Sequence, residues 1–133
     1  LWNVGAIAQS LQLEPTFNAG MRLRCGAQTI LIDSLFAHHP SYQSPNAAER
    51  EAITGTRGAV LALATHAHRD HWDEAVVARL LERNPEAQFW GTGQSAGALA
   101  LRFPRQVKVM PAAGGGTWQG ARLRFAPLPH SGS

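Results

Sequence analysis

The chain has a single cysteine, Cys25. That excludes an intrachain disulfide and a cysteine-built zinc knuckle. Cys25 sits in the apolar-alternating stretch Met21 to Cys25, which reads as a small buried core residue rather than a catalytic thiol. No apolar run approaches the roughly 20 residues of a membrane-spanning helix, so no membrane partner is expected. Blocks of like charge are missing too. Twelve basic residues against nine acidic ones leave a formal charge of +3, and the arginines (Arg22, Arg24, Arg57, Arg102, Arg105, Arg122, Arg124) are scattered. Without basic runs interleaved with aromatics, the sequence argues against a nucleic-acid partner. There is no internal repeat, and the only low-complexity stretch is Gly114-Gly115-Gly116. Those glycines read as a hairpin or loop. A phosphate cradle would need Lys and Ser or Thr opening a helix after them, and Thr117-Trp118-Gln119-Gly120 follows instead.

What is present is a globular composition, with 44% apolar and 16% charged residues over 133 positions, enough for one small domain with a core. Residues 1–10 read as a leader. Ala6-Ile7-Ala8 fits the tail of an export signal, hence a secreted or periplasmic protein, and equally an ordinary Ala-rich leader of a cytoplasmic one.

Residues 11–133 form the domain. Leu11 to Phe17 and Met21 to Cys25 alternate as strands around the turn Asn18-Ala19-Gly20. Thr29 to Ile32 is a short buried-type strand ending at Asp33. After a proline-containing loop, Asn46 caps a helix over Ala47 to Ile53. The apolar run Ala59 to Ala64 predicts a strand buried on both faces. Asp73 caps a helix whose stripe is Val76, Val77, Leu80 and Leu81. Gln88 to Gly91, Gln106 to Met110 and Ala121 to Ala126 read as strands, and Ser95 to Arg102 as a helix. Strands first, then strands alternating with helices, predict an α/β fold: a mixed sheet with helices on one outer face.

The chemistry is concentrated in Thr65-His66-Ala67-His68-Arg69-Asp70-His71. Three of the chain's six histidines and a carboxylate fall within six residues, directly after the buried strand. In extended chain, residues two apart share a side, so His66 and His68 can converge on one ion. Asp70 and His71 lie where the chain turns into the next helix and can approach from another direction. Imidazole and carboxylate suit zinc and similar borderline ions. One short segment cannot enclose a metal, and His130, after the last strand and flanked by Pro127 and Pro129, is the best further ligand. His38 and His39 are adjacent, so they face opposite ways on extended chain and read as loop residues near the site mouth. Trp72 reads as pocket lining or as packing.

At these residues the chain resembles the metallo-β-lactamase superfamily. The hallmark His-x-His-x-Asp-His appears as His66-Ala67-His68-Arg69-Asp70-His71. Further matches are the strand Ile30-Leu31-Ile32 ending in Asp33, a later histidine His130, and the opening Phe17-Asn18-Ala19-Gly20. The resemblance implies half of an αββα sandwich with the metals at one edge of the sheets. It implies that His66, His68 and His130 bind one metal, that Asp70 and His71 contribute to a second, and that Asp33 supports the metal loop through hydrogen bonds. It implies one or two zinc ions, with iron or manganese as alternatives, and a small-molecule substrate. The activity implied is hydrolysis of an ester, amide, lactone, thioester or phosphodiester by metal-activated hydroxide, with Asp70 orienting the water. An iron-dependent oxidoreductase and a non-catalytic metal-binding half domain are the alternatives. Family members continue to a bridging Asp and a final His, so the sequence reads as the N-terminal portion of such a domain. Its inner sheet face is expected to have no partner layer.

Overall fold

The computed structural model describes residues 10–111 and 113–127. Ala6-Ile7-Ala8 and His130 lie outside the described residues. The elements run β1 (Leu11–Pro15), β2 (Met21–Cys25), β3 (Gln28–Ile32), α1 (Ala47–Thr54), β4 (Ala59–Leu63), α2 (Glu74–Arg83), β5 (Gln88–Gly91), α3 (Gly93–Arg102), β6 (Val107–Val109), β7 (Gly114–Trp118) and β8 (Ala121–Phe125).

The fold is α/β. Strands β1 to β6 form one mixed sheet in sequential order, antiparallel from β1 to β3 and parallel from β3 to β6. Three successive parallel connections carry one helix each. Because the strand order always advances the same way and such crossovers are right-handed, all three helices belong on one face. The packing agrees. Leu31, Val60, Ala62 and Phe89 point to the side where Ile53 of α1, Val77, Leu80 and Leu81 of α2, and Ala96 and Leu99 of α3 are buried.

The helix ends follow local chemistry. Asn46 closes a capping box with Glu49, Asp73 accepts from the Val76 amide, and Thr92 accepts from the Ser95 amide. The stripe of α2 is displaced slightly from the expected one: Ala78 is fully inside, while Val76 is only partly buried. Helix α3 begins two residues before Ser95, because the Thr92 cap lets Gly93 and Gln94 join the first turn.

The opposite sheet face was expected to lack a partner layer. The hairpin of β7 and β8 covers part of it: Trp118 and Ala121 bury themselves against Ile30, Leu61, Trp90 and Met110, while Leu11 and Leu13 of β1 stay exposed on that face. Of the two readings of the triple glycine, hairpin or loop, the hairpin holds. Gly114 to Gly116 pair with Phe125 to Leu123 as strand, and the turn falls at Gln119-Gly120, both with positive φ. The reason is steric. A Cβ on Gly116 would lie 3.0 Å from the Trp90 ring, so only a bare backbone fits there without displacing that indole. Cys25 is buried at 2% exposure, as its alternating strand predicts. Among the described residues no helix is long and apolar enough to cross a membrane.

Candidate metal centre

Parallel strands leave polar backbone at their C-terminal ends, where the next loop turns back over the sheet, and α/β folds place ligands there. In this chain the ends of β3 and β4 are neighbours, and each releases a loop bearing charged groups: Asp33 after β3 and Thr65 to His71 after β4. The β1–β2 turn reaches the same edge because Met21 pairs with Ile32. Three chain segments thus meet at the point where the sheet changes from antiparallel to parallel.

Asp33 is the buried centre of this meeting, at 4% exposure, with its backbone in the left-handed region at φ 48. A non-glycine residue is held there only when its surroundings over-determine it. The surroundings are visible. Its amide donates to the Leu63 carbonyl at 2.9 Å. Its carboxylate accepts from the Thr65 amide at 2.8 Å and the Thr65 hydroxyl at 2.7 Å. Oδ2 also lies 2.9 Å from His71 Nδ1. That last contact is close but off the direction of the ring N–H, so the buried His71 Nδ1 has no directed hydrogen bond. Gly20 is required beside it, since a Cβ there would run into Thr16 Oγ1 and the Asp33 carbonyl.

The histidine segment is a series of bends followed by a turn, not an extension of β4. The His71 and Trp72 amides both donate to the His68 carbonyl, at 3.0 and 3.3 Å. The bend, rather than two-residue strand spacing, brings the rings together. His66 and His68 have centroids 4.5 Å apart, and His66 and His71 3.7 Å apart. The turn is fastened to the sheet by a bridge between Leu35 and Trp72 and by the Asp73 amide donating to the Leu35 carbonyl at 2.7 Å. Trp72 itself stacks on Phe89 at 6.2 Å against the helix-side core, so it packs rather than lining the opening.

Asp70 faces His71 Nε2 at 3.3 Å and accepts from the Asn18 side-chain amide at 3.0 Å. Burial raises its pKa. The opposing effects of its own backbone N–H, the neighbouring His71, the Asn18 amide and His39 are together larger, so it lies below the ordinary carboxylate value. His66, His68, Arg69, Asp70 and His71 line an open depression of about 610 Å³ together with Ala67, His39 and Tyr42.

Two imidazoles on one zinc, each with a nitrogen about 2.0–2.1 Å from the ion, hold their ring centres roughly 5 Å apart. The His66–His68 spacing is close to that; the His66–His71 spacing is too short for it. Among the described residues no group of three or more His, Cys, Asp or Glu side chains is disposed around a common point for an ion. The cause is local. His66 Nδ1 lies 3.0 Å from Thr65 Oγ1, and the two nitrogens of His71 face Asp33 and Asp70. The donor set is chemically suited to a borderline metal, and the buried, undirected His71 Nδ1 marks a ring whose partner is incomplete.

Asn18, Thr65, His39, Tyr42 and Arg69 were not in the ligand set read from the sequence, although His39 was placed near the mouth. Asn18 looks like an ordinary turn residue, and only the register of β2 on β3 reveals that its turn overhangs the histidine loop. Compared with known proteins, the chain matches no family model and no curated protein.

Proposed function

We propose that this chain belongs to a metal-dependent hydrolase of the metallo-β-lactamase type, its sheet and helices being one half of an αββα sandwich. The observation that carries the reading is the gathering of His66, His68, Asp70 and His71 in one open depression at the C-terminal edge of β3 and β4, above the buried carboxylate of Asp33. His66 and His68, joined by His130, would hold one ion, and Asp70 with His71 a second. The short His66–His71 spacing favours dividing these two rings between ions.

When bound, zinc supplies an activated water at neutral pH and polarises the scissile carbonyl or phosphoryl group. The chain's own residues do the rest. Asp33 fixes the start of the histidine loop through both Thr65 hydrogen bonds, and its carboxylate lies 2.9 Å from His71 Nδ1, where carboxylates behind ligating histidines stand. The backbone N–H of Asp70, then His71 and Asn18, hold its carboxylate ionised, so it is available as an acceptor for a water proton. The depression is wide enough to admit a small ester, amide, lactone, thioester or phosphodiester.

Elemental analysis of the purified protein carrying this chain tests the reading. One or two zinc ions per chain are expected, together with hydrolysis of a chromogenic ester that metal removal abolishes. Stoichiometric iron with oxygen-dependent turnover would replace the hydrolase by an oxidoreductase. Absence of bound metal after zinc reconstitution would reduce the cluster to a structural loop.

A further inference from the structure

We infer that the loop over residues 37–45 builds a recognition site for an anionic oxygen group on the substrate, a carboxylate or phosphate, with His39 and Arg69 as its donors. What happens to the bound substrate rests on the hydrolase reading; the anion site itself does not.

The loop is fastened at both ends from α1. Arg50 Nη1 donates to the Ala37 carbonyl at 3.3 Å and to the Pro45 carbonyl at 2.7 Å. Within it, most polar contacts converge on His39, the Ser44 hydroxyl also reaching the Tyr42 carbonyl at 3.3 Å. Its amide donates to Ser44 Oγ at 2.9 Å, and Ser44 Oγ lies 3.3 Å from its carbonyl. The Ser41 amide donates to its ring Nδ1 at 3.1 Å, and Tyr42 packs on the ring at 4.5 Å. A nitrogen that accepts a hydrogen bond carries no proton, so the ring N–H is at Nε2. The loop thus fixes the tautomer and orientation of one donor on the wall of the histidine depression, the kind of preorganisation that lowers the entropic cost of binding.

Arg69 lines the same depression. Arg69 has no ion pair or hydrogen bond among the described residues, a state it shares with Arg57, Arg105, Arg122 and Arg124, but of these five it alone lines the depression. An exposed arginine alone would be a solvated surface charge. Here it shares a concave surface with a preset N–H donor, and the fork of a guanidinium matches carboxylate and phosphate oxygens. The one carboxylate on that surface, Asp70, accepts from Asn18 and faces His71, with a weaker electrostatic effect from His39.

The test titrates the intact protein with succinate and, separately, with inorganic phosphate, following the His39 ring and Arg69 Nε resonances by NMR. At least one anion should bind, and which one identifies the group. His39→Ala and Arg69→Ala should each weaken binding about tenfold, the usual worth of a hydrogen bond to a charged partner. His39→Gln, which keeps an N–H near the Nε2 position, should recover most of it, and metal content should be unchanged in all variants. With mono-4-nitrophenyl succinate, His39→Ala should raise KM about tenfold more than it does with 4-nitrophenyl acetate, which lacks the anion. No binding of either anion, or equal binding by wild type and both alanine variants, overturns the inference. A wild type that hydrolyses neither ester but binds the anion through these residues would remove the hydrolase reading and leave the anion site standing.

Discussion

Asp33 shows how much one residue organises. It ends β3 with a backbone conformation that costs energy, and its carboxylate holds the Thr65 amide and hydroxyl. Asp33→Ala removes two hydrogen bonds to a charged acceptor, so a destabilisation of about 1–3 kcal/mol is expected by chemical denaturation. In the proposed role, metal affinity should also fall by about 10–100-fold, measured by competition with a chelating dye. A strand ending in Asp was legible in the sequence; its contacts with the histidine loop were not, because 32 positions separate Asp33 from Thr65 and only the parallel register of β3 on β4 brings them together. Glu14 gives a prediction about pH. The side-chain hydrogen bond from Arg22 lowers its pKa first, followed by the Arg22 charge, against a smaller opposing effect of burial. A carboxylate whose folded pKa is depressed adds stability above its unfolded value of about 4.5, and that stability is lost as pH falls through the folded pKa. An NMR titration should therefore place the Glu14 midpoint below 4.5, and Arg22→Ala should bring it back toward that value.

Elements were the most legible scale, since periodicity and caps act locally. Asn46 followed by Glu49, and Asp73 followed by an apolar stripe, state where α1 and α2 begin, and both helices start there. The extent of β7 was not legible. Glycine lacks a side chain to reveal alternation, so the sequence leaves Gly114 to Gly116 open between hairpin and loop, and the pairing beneath Trp90 decides for the hairpin. Two substitutions separate local from packed contributions. Asn46→Ala removes the capping box and should cost about 1 kcal/mol. Gly116→Ala introduces a Cβ 3.0–3.1 Å from the Trp90 ring and should cost about 1–3 kcal/mol, with a changed Trp90 fluorescence that the Asn46 variant does not show. Equal fluorescence in both variants would mean that the hairpin does not press on that indole.

Across the whole molecule, the sheet divides the labour. One face is filled by three helices, the other receives the β7–β8 hairpin, and the chemistry collects at the strand ends between them. The change from antiparallel to parallel pairing at β3 is what lets the β1–β2 turn lean Asn18 over Asp70 while β4 delivers the histidines. The histidine motif, Arg69 included, was plain in the sequence because its residues are contiguous; the wall beside it was not, because His39 and Tyr42 come from the loop after β3 while the motif follows β4. The most direct measurement is calorimetric titration of zinc into the metal-free protein and into a His66→Ala, His68→Ala double variant. A zinc affinity reduced at least about 100-fold in the variant is the outcome predicted here. Identical titration curves for the two proteins would contradict it, since the imidazoles of residues 66 and 68 would then hold no ion.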